Sequence, residues 1–317
     1  MEEKKLFCVS LGCDKNLVDT EKMLRLIRDM GISFTDDEGE ADIILINTCC
    51  FIGDAKEESV NTILEMAEEK KEGRCRALIV TGCLAQRYKE EILEEIPEVD
   101  AILGTTSWEE IGAVIRGICG GQESHVSCFH DLKELPASEG RIVTTGGYYA
   151  FLKIAEGCDK RCTYCIIPYL RGPYRSVPME DLLAEARELA RGGVRELILV
   201  AQETTLYGVD LYGEKSLPRL LKELAKIPEI RWIRIQYCYP EEITDELIAV
   251  IKEEEKVCHY LDIPIQHASD RILRRMGRRT TRREITERIR QLREEIPDIA
   301  LRTTLISGFP GETEEDH

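Results

Sequence analysis

Residues 156–172 read EGCDKRCTYCIIPYLRG and place Cys158, Cys162 and Cys165 in a C-x3-C-x2-C spacing. A cubane iron–sulfur cluster has four irons, and a complete ligand set would be four thiolates. Three thiolates leave one iron open, able to chelate a small molecule through an amine and a carboxylate. Zinc would require a fourth Cys or His close by, usually as a second CxxC or HxxxH pair, and the local sequence has none. A ferredoxin-type motif would continue C-x2-C-x2-C and add a fourth Cys. Packing of buried apolar cysteines fits poorly, because Asp159, Lys160 and Arg161 make the loop polar.

A second set of three stands in the N-terminal part: Cys13 in SLGC, Cys49 in NTC and Cys83 in TGC. Each lies at or just past the C-terminal end of a stretch that reads as a parallel strand. In a doubly wound sheet those ends line one crevice, so cysteines far apart in sequence converge. A single such cysteine would read as a small buried hydrophobe; three at equivalent positions argue for a second cluster, again with one iron open. Cys50 adjoins Cys49 and competes with it as a ligand. Cys8, Cys75, Cys119, Cys128, Cys238 and Cys258 have no comparable placement.

The elements that must position these groups alternate from the start. KLFCVSL, ADIILIN (41–47), ALIVTG (77–82) and VDAILG (99–104) read as strands; 16–30, 54–70, 84–95 and 108–117 read as helices. The continuous apolar runs are those of parallel strands buried on both faces, and the pattern predicts an α/β doubly wound parallel sheet. Residues 119–148, rich in Gly and Ser, read as a linker with one extended piece. The alternation then restarts, with strands expected at 150–155, 196–202, 231–237, 260–264 and 300–306. Helices are expected at about 179–191, 216–226, 242–253, 268–275 and 282–295. Five strands, where a closed barrel needs eight, make this a partial (β/α) TIM-like barrel. The expected organisation is therefore residues 1–118 carrying one cluster, a linker at 119–148 and a barrel domain at 149–317. The end, SGFPGETEEDH, falls just after a strand, where a truncation is expected.

The chain has 317 residues, 13 cysteines, 43% apolar residues and a net charge of −17. Residues 1–120 hold 14 lysines and arginines against 26 acidic residues, a net −12, which repels phosphate backbones. One stretch runs the other way: residues 271–293 carry ten arginines and two glutamates. Ile285, Ile289 and Leu292 recur there at helical spacing, so a solvated helix face is favoured over an RNA contact. No charged-then-apolar leader opens the sequence, and no apolar run approaches the ~18–20 residues of a membrane span. A cytoplasmic location with reduced thiols is expected, and no membrane partner.

The C-x3-C-x-φ-C pattern, with Tyr164 as the aromatic before Cys165, resembles the signature of the radical S-adenosylmethionine (SAM) enzymes. That resemblance implies that SAM occupies the open iron beside Cys158, Cys162 and Cys165. SAM is then cleaved to a 5′-deoxyadenosyl radical that takes hydrogen from an unactivated carbon. Candidate SAM contacts follow later strands: Gln202 and Glu203 in ILVAQETT, Gln266 and His267 after YLDIP, and Glu312 in TTLISGFPGE.

The two cysteine sets together resemble the methylthiotransferases, over essentially the whole chain. SLGCDKNLVDTE, INTCCFI, CIIPYLRGPYRS, AQETTLYGVDLYG and LDIPIQHASDRIL bring it nearest to the branch that modifies an aspartate of a small-subunit ribosomal protein. The tRNA-modifying, MiaB-like branch differs at the first of these motifs and is the alternative; a non-catalytic iron–sulfur electron carrier is a remote one. The family usually has Gly where Cys50 stands, and a terminal TRAM barrel that this sequence lacks. The resemblance implies two 4Fe–4S clusters, on Cys13, Cys49, Cys83 and on Cys158, Cys162, Cys165, with SAM as methyl and radical source. The ribosomal protein or ribosome is the implied substrate, a sulfur donor and an electron-donor protein are implied partners, and Arg171 and Arg175 are cations available to a substrate carboxylate.

Overall fold

The computed structural model describes residues 4–121, 125–136 and 140–317, so part of the expected linker, 122–124 and 137–139, lies outside the described residues. Contacts divide the chain into two units: residues 1–142 with 169–172, and residues 143–168 with 173–317.

In the first unit, strands β1 (Lys5–Ser10), β2 (Ser33–Phe34), β3 (Ile43–Thr48), β4 (Ala77–Gly82), β5 (Ala101–Leu103) and β6 (Val126–Cys128) form one sheet. Its order is β2-β1-β3-β4-β5-β6 and every pairing is parallel. The expected doubly wound sheet is there. β3 and β4 are buried at every residue, as strands covered on both faces must be; each Ile so buried contributes ~2–3 kcal/mol. Helices α1 (Asp14–Asp29), α2 (Gly53–Glu72), α3 (Cys83–Tyr88), α4 (Glu90–Glu95) and α5 (Ile111–Cys119) connect the strands. One helix was expected over 84–95, but Lys89 adopts φ +44 and splits it into α3 and α4. Leu6, Met23, Ile27, Ile43, Leu45, Ile79, Leu103 and Trp108 anchor the core on one side of the sheet.

α6 (Ile167–Arg171) follows the second cysteine loop, and its residues from 169 onward pack with the first unit. In the second unit, β7 (Tyr149–Lys153), β10 (Glu196–Val200), β11 (Trp232–Ile235), β12 (Val257–Asp262) and β13 (Ala300–Arg302) make a parallel sheet ordered β13-β12-β11-β10-β7. A short antiparallel pair, β8 (Ala155–Glu156) and β9 (Arg175–Ser176), flanks the cysteine loop. Helices α7 (Met179–Arg191), α8 (Val209–Tyr212), α9 (Leu217–Ala225), α10 (Asp245–Glu253), α11 (Asp270–Arg275) and α12 (Arg282–Glu295) fill the crossovers. This is the five-stranded partial barrel expected. The arginine-rich stretch forms α11 and α12; Ile285 and Leu292 are buried, while the arginines of α12 pair with neighbours such as Glu294 and Asp245. α12 opens with a capping box between Thr281 and Glu284, which satisfies backbone donors at its N-terminus. Among the described residues no helix is long and apolar enough to cross a membrane.

The turn from β4 into α3 depends on Gly82. Its φ is +93, and an added Cβ would lie 2.2 Å from Asn47 Oδ1 and 2.5 Å from the Thr48 carbonyl. Left-handed strain and collision together give Gly82→Ala a cost of at least about 2 kcal/mol. Thermal unfolding of the metal-free chain is expected to show a clearly lowered Tm; an unchanged Tm would contradict the tight turn.

Candidate functional site

The cysteines of the first unit are brought together by sheet register. β1, β3 and β4 are neighbours, with Ser10 opposite Asn47 and Thr48 opposite Gly82. Cys49 and Cys83 therefore leave adjacent strands at the same level, about one strand spacing of 4.8 Å apart in backbone terms. Cys13 precedes α1 as its cap residue. The turn before it passes against Cys49: a Cβ on Gly12, whose φ is +90, would lie 2.6 Å from Cys49 Cβ and 2.9 Å from its Sγ. Cys49 is pinned by its amide, which donates to Ser59 Oγ at 3.0 Å, and by the Ser59 hydroxyl donating back to its carbonyl at 2.8 Å. Cys50 is also buried, but its thiol donates to the Cys83 carbonyl at 3.2 Å.

A polar net backs this group. The Asn16 side-chain amide donates to the carbonyls of Leu11 (3.1 Å) and Thr48 (2.9 Å), tying together the segments before Cys13 and Cys49. Arg171 is 2% exposed. It donates from Nε to Cys83 Sγ at 3.4 Å, from Nη1 to Asp19 Oδ2 at 2.7 Å and from Nη2 to Asn16 Oδ1. Arg171 is thus buried among these partners and not at the disposal of a substrate carboxylate, which corrects the expectation from sequence. Burial pushes the Cys83 thiol up to about 12, with the Arg171 charge the largest opposing influence. Burial likewise raises Cys49.

In the second unit, Cys158, Cys162 and Cys165 follow β8. A turn closes between the Cys165 amide and the Cys162 carbonyl (3.0 Å), and the Thr163 amide donates to the Met276 carbonyl (3.0 Å) just past α11. Cys162 Sγ lies 3.8 Å from the Tyr239 hydroxyl. Tyr239 is flanked by two cations, Arg278 at 4.1 Å and Lys160 at 4.7 Å from the ring centre. Burial pushes the Cys158 thiol up to about 12, and the neighbouring Glu203 charge adds to this.

The other candidates fall into two groups in this unit. Gln202 donates to Glu156 Oε1 at 2.7 Å. Glu203 is fully buried; the Thr205 amide donates to its Oε1 at 3.0 Å. Burial raises the Glu203 carboxyl to about 8, against opposing help from Thr205 and Lys160. Gln266 has φ +69 and bridges to Leu305 in parallel fashion. Next to it His267 Nε2 lies 3.4 Å from Glu312 Oε1, and the Phe309 amide, donating to Glu312 Oε2 at 2.8 Å, holds that carboxyl below its ordinary range. Tyr164 meets Phe309 edge to face at 6.4 Å.

Two observations test the fit of an iron–sulfur cluster and of SAM. Neither cysteine set has its three sulfurs mutually within 4.8 Å, whereas the ligand atoms of Glu109, Glu110 and His130, a half-buried group, do so among the described residues. A single tetrahedral zinc, with Zn–S about 2.3 Å, would need sulfurs about 3.8 Å apart, which neither set shows. All 13 cysteines are free thiols. Near the second set, Gln202 Oε1 and Glu203 Oε2 are buried without a hydrogen-bond partner. A ligand carrying ammonium or hydroxyl donors would satisfy them.

Comparison with known proteins gives two domain matches: the uncharacterized protein family UPF0004 over residues 5–104 and the Radical SAM superfamily over residues 152–317. The ribosomal protein uS12 methylthiotransferase RimO of Lachnoclostridium phytofermentans is 69% identical over 314 residues, covering 99% of this chain and 71% of that protein. The RimO of Geobacter sulfurreducens is 55% identical over 315 residues, covering 99% and 70%. Among solved structures, the radical SAM methyltransferase TsrM of Kitasatospora setae, with cobalamin and a [4Fe-4S] cluster bound, matches with a TM-score of 0.71 at 14% identity, over 100% of this chain and 71% of that one. The cobalamin-dependent radical SAM enzyme OxsB matches with a TM-score of 0.66 at 14% identity, over 96% and 49%. At that identity the two structures speak for the fold alone.

The Glu203 carboxyl makes a prediction about pH. Its pKa is raised from 4.5 to about 8, so as pH rises the unfolded chain gives up this proton first. Stability contributed by the neutral group is present in full below about pH 4.5 and is lost as pH climbs to about 8. Glu203→Gln removes that slope. In the metal-free chain, the Tm of the variant relative to wild type is expected to rise by several degrees between pH 5 and pH 8; a constant difference would contradict a neutral Glu203.

Proposed function

Because this chain belongs to the RimO family of radical SAM methylthiotransferases, we propose that it transfers a methylthio group to the β-carbon of an aspartate in the small-subunit ribosomal protein uS12. The observation that carries this reading is the 69% identity to a uS12 methylthiotransferase across 99% of the chain. Identity at that level to uS12 methylthiotransferases from several bacteria does not favour the tRNA-modifying alternative. An electron carrier has no use for the unpartnered acceptors of Gln202 and Glu203.

The cofactors are 4Fe–4S clusters and SAM. Cys13, Cys49 and Cys83 would hold one cluster, and Cys158, Cys162 and Cys165 the other. When bound, these groups would supply a carbon-centred radical able to take hydrogen from an unactivated carbon, together with the transferred methyl, while the sulfur comes from outside the chain. The protein's own share is binding, orientation and exclusion of water. The three thiols at each site would become ligands by losing protons; burial raises Cys49, Cys83, Cys158 and Cys165, so for these the metal would drive that loss. Glu203, neutral in its apolar setting, would return to its charged form beside the cation of SAM, since an opposite charge offsets desolvation. Tyr164, Gln202, Gln266, His267 and Glu312 are the further proposed SAM contacts.

Residues 1–118 are assigned to the auxiliary-cluster domain, 119–148 to a connecting stretch that lends β6 to the first sheet, and 149–317 to the radical SAM domain. A ribosomal substrate, together with 13 free thiols, points to the cytoplasm. A sulfur donor and an electron donor complete the partners.

Incubation of the reconstituted chain with uS12, SAM, sulfide and a strong reductant tests the reading by mass spectrometry. A methylthio gain on one aspartate is expected; a gain on tRNA adenosine with uS12 untouched would sink it. Cys49→Ala is expected to abolish the product and about half of the bound iron, whereas Cys50→Ala keeps about eight irons.

A further inference from the structure

We propose that Arg171 is the positioning residue of the auxiliary cluster, a fixed cation that bonds the Cys83 sulfur and sets the charge this cluster experiences. The inference rests on the assignment of Cys13, Cys49 and Cys83 as its ligands.

Three features of the first unit carry it. The guanidinium directs its three nitrogens to three different partners: the Cys83 sulfur, the Asp19 carboxylate and the Asn16 amide oxygen. Arginine stays charged at any working pH and presents a rigid planar fork, so this arrangement fixes both the charge and its direction. Asn16 in turn binds the carbonyls of Leu11 and Thr48, so one hydrogen-bond net joins the guanidinium to the segments that present all three cysteines. Lastly, the backbone that carries Arg171 is clipped to the helix that carries Cys83. Thr105 donates from its hydroxyl to the Leu170 carbonyl at 2.7 Å, and its amide donates to Gln86 Oε1 of α3 at 3.1 Å.

A neutral thiol is a weak acceptor, whereas a ligating thiolate makes a charge-assisted hydrogen bond. Hydrogen bonds to cluster sulfurs and nearby charge tune reduction potential. A cation held at Cys83 favours the more negative, reduced state and raises the potential. Asp19 partly offsets that cation. The two side chains therefore act with opposite signs on the cluster, which a purely structural brace would not do.

Placing Arg171→Met, Arg171→Lys and Asp19→Asn in the full chain that also carries Cys158, Cys162 and Cys165→Ala leaves the auxiliary cluster alone for titration by electron paramagnetic resonance. Arg171→Met is expected to shift the midpoint potential to more negative values, Arg171→Lys to recover part of the shift, and Asp19→Asn to move it to more positive values. If Arg171→Met fails to hold iron, the sign of the Asp19→Asn shift decides by itself. No shift in Asp19→Asn, or shifts of the same sign in Arg171→Met and Asp19→Asn, would overturn the inference. The background variant should hold about four irons; if it holds none, the ligand assignment has failed instead, whatever Arg171 does.

Discussion

Parallel strand register is the constraint on which this molecule depends. β1, β3 and β4 lie side by side and end at one level, so residues 13, 49 and 83, spread over seventy positions, meet at one edge of the sheet. No local motif could bring them together. The buried runs IILINT and ALIVTG hold that register, because a slip of one residue would turn every side chain to the opposite face. Gly82 then lets the chain turn at once, with φ +93 and no room for a side chain, so that Cys83 opens a helix at the strand end.

The second unit solves the same problem locally. Three cysteines within eight residues converge through a turn, and the loop is fastened to the chain beyond α11 by the Thr163 amide. Around it the polar groups are unusually deep. Glu203 is fully buried yet close to Lys160, and Tyr239 lies between Lys160 and Arg278 with its hydroxyl toward Cys162. Buried polar groups of this kind are costly unless partnered, and Gln202 Oε1 and Glu203 Oε2 are buried there without a hydrogen-bond partner.

Much of this was legible in the sequence, for physical reasons that differ by element. α7 and α12 fall where helical periodicity puts them, α12 helped by its Thr281–Glu284 capping box. β3 and β4 open with the apolar runs IILI and ALIV and are buried at every residue, as doubly covered strands are. The cysteine loop announces itself by spacing. Other features depend on tertiary context. Lys89 takes a left-handed φ that no propensity favours for lysine, and it breaks a helix that periodicity would continue. β6 lies in a Gly- and Ser-rich stretch and gains its strand character from pairing with β5. His267 and Glu312, forty-five residues apart, meet because Gln266 bridges to Leu305. Arg171 looks from sequence like a solvent-facing cation after a cluster loop. Its burial against Cys83, Asn16 and Asp19 reflects where the following backbone packs, which composition does not encode.

The central claim is that two separate sets of three cysteines each hold an iron–sulfur cluster, and only one of them cleaves SAM. Iron content and 5′-deoxyadenosine formation, measured together on the reconstituted chain with Cys13, Cys49 and Cys83 all changed to Ala, test it most directly. The account predicts a fall from about eight irons to about four, two cubanes to one, with SAM cleavage retained. Retention of all the iron, or loss of SAM cleavage from a variant that still holds four irons, would contradict it.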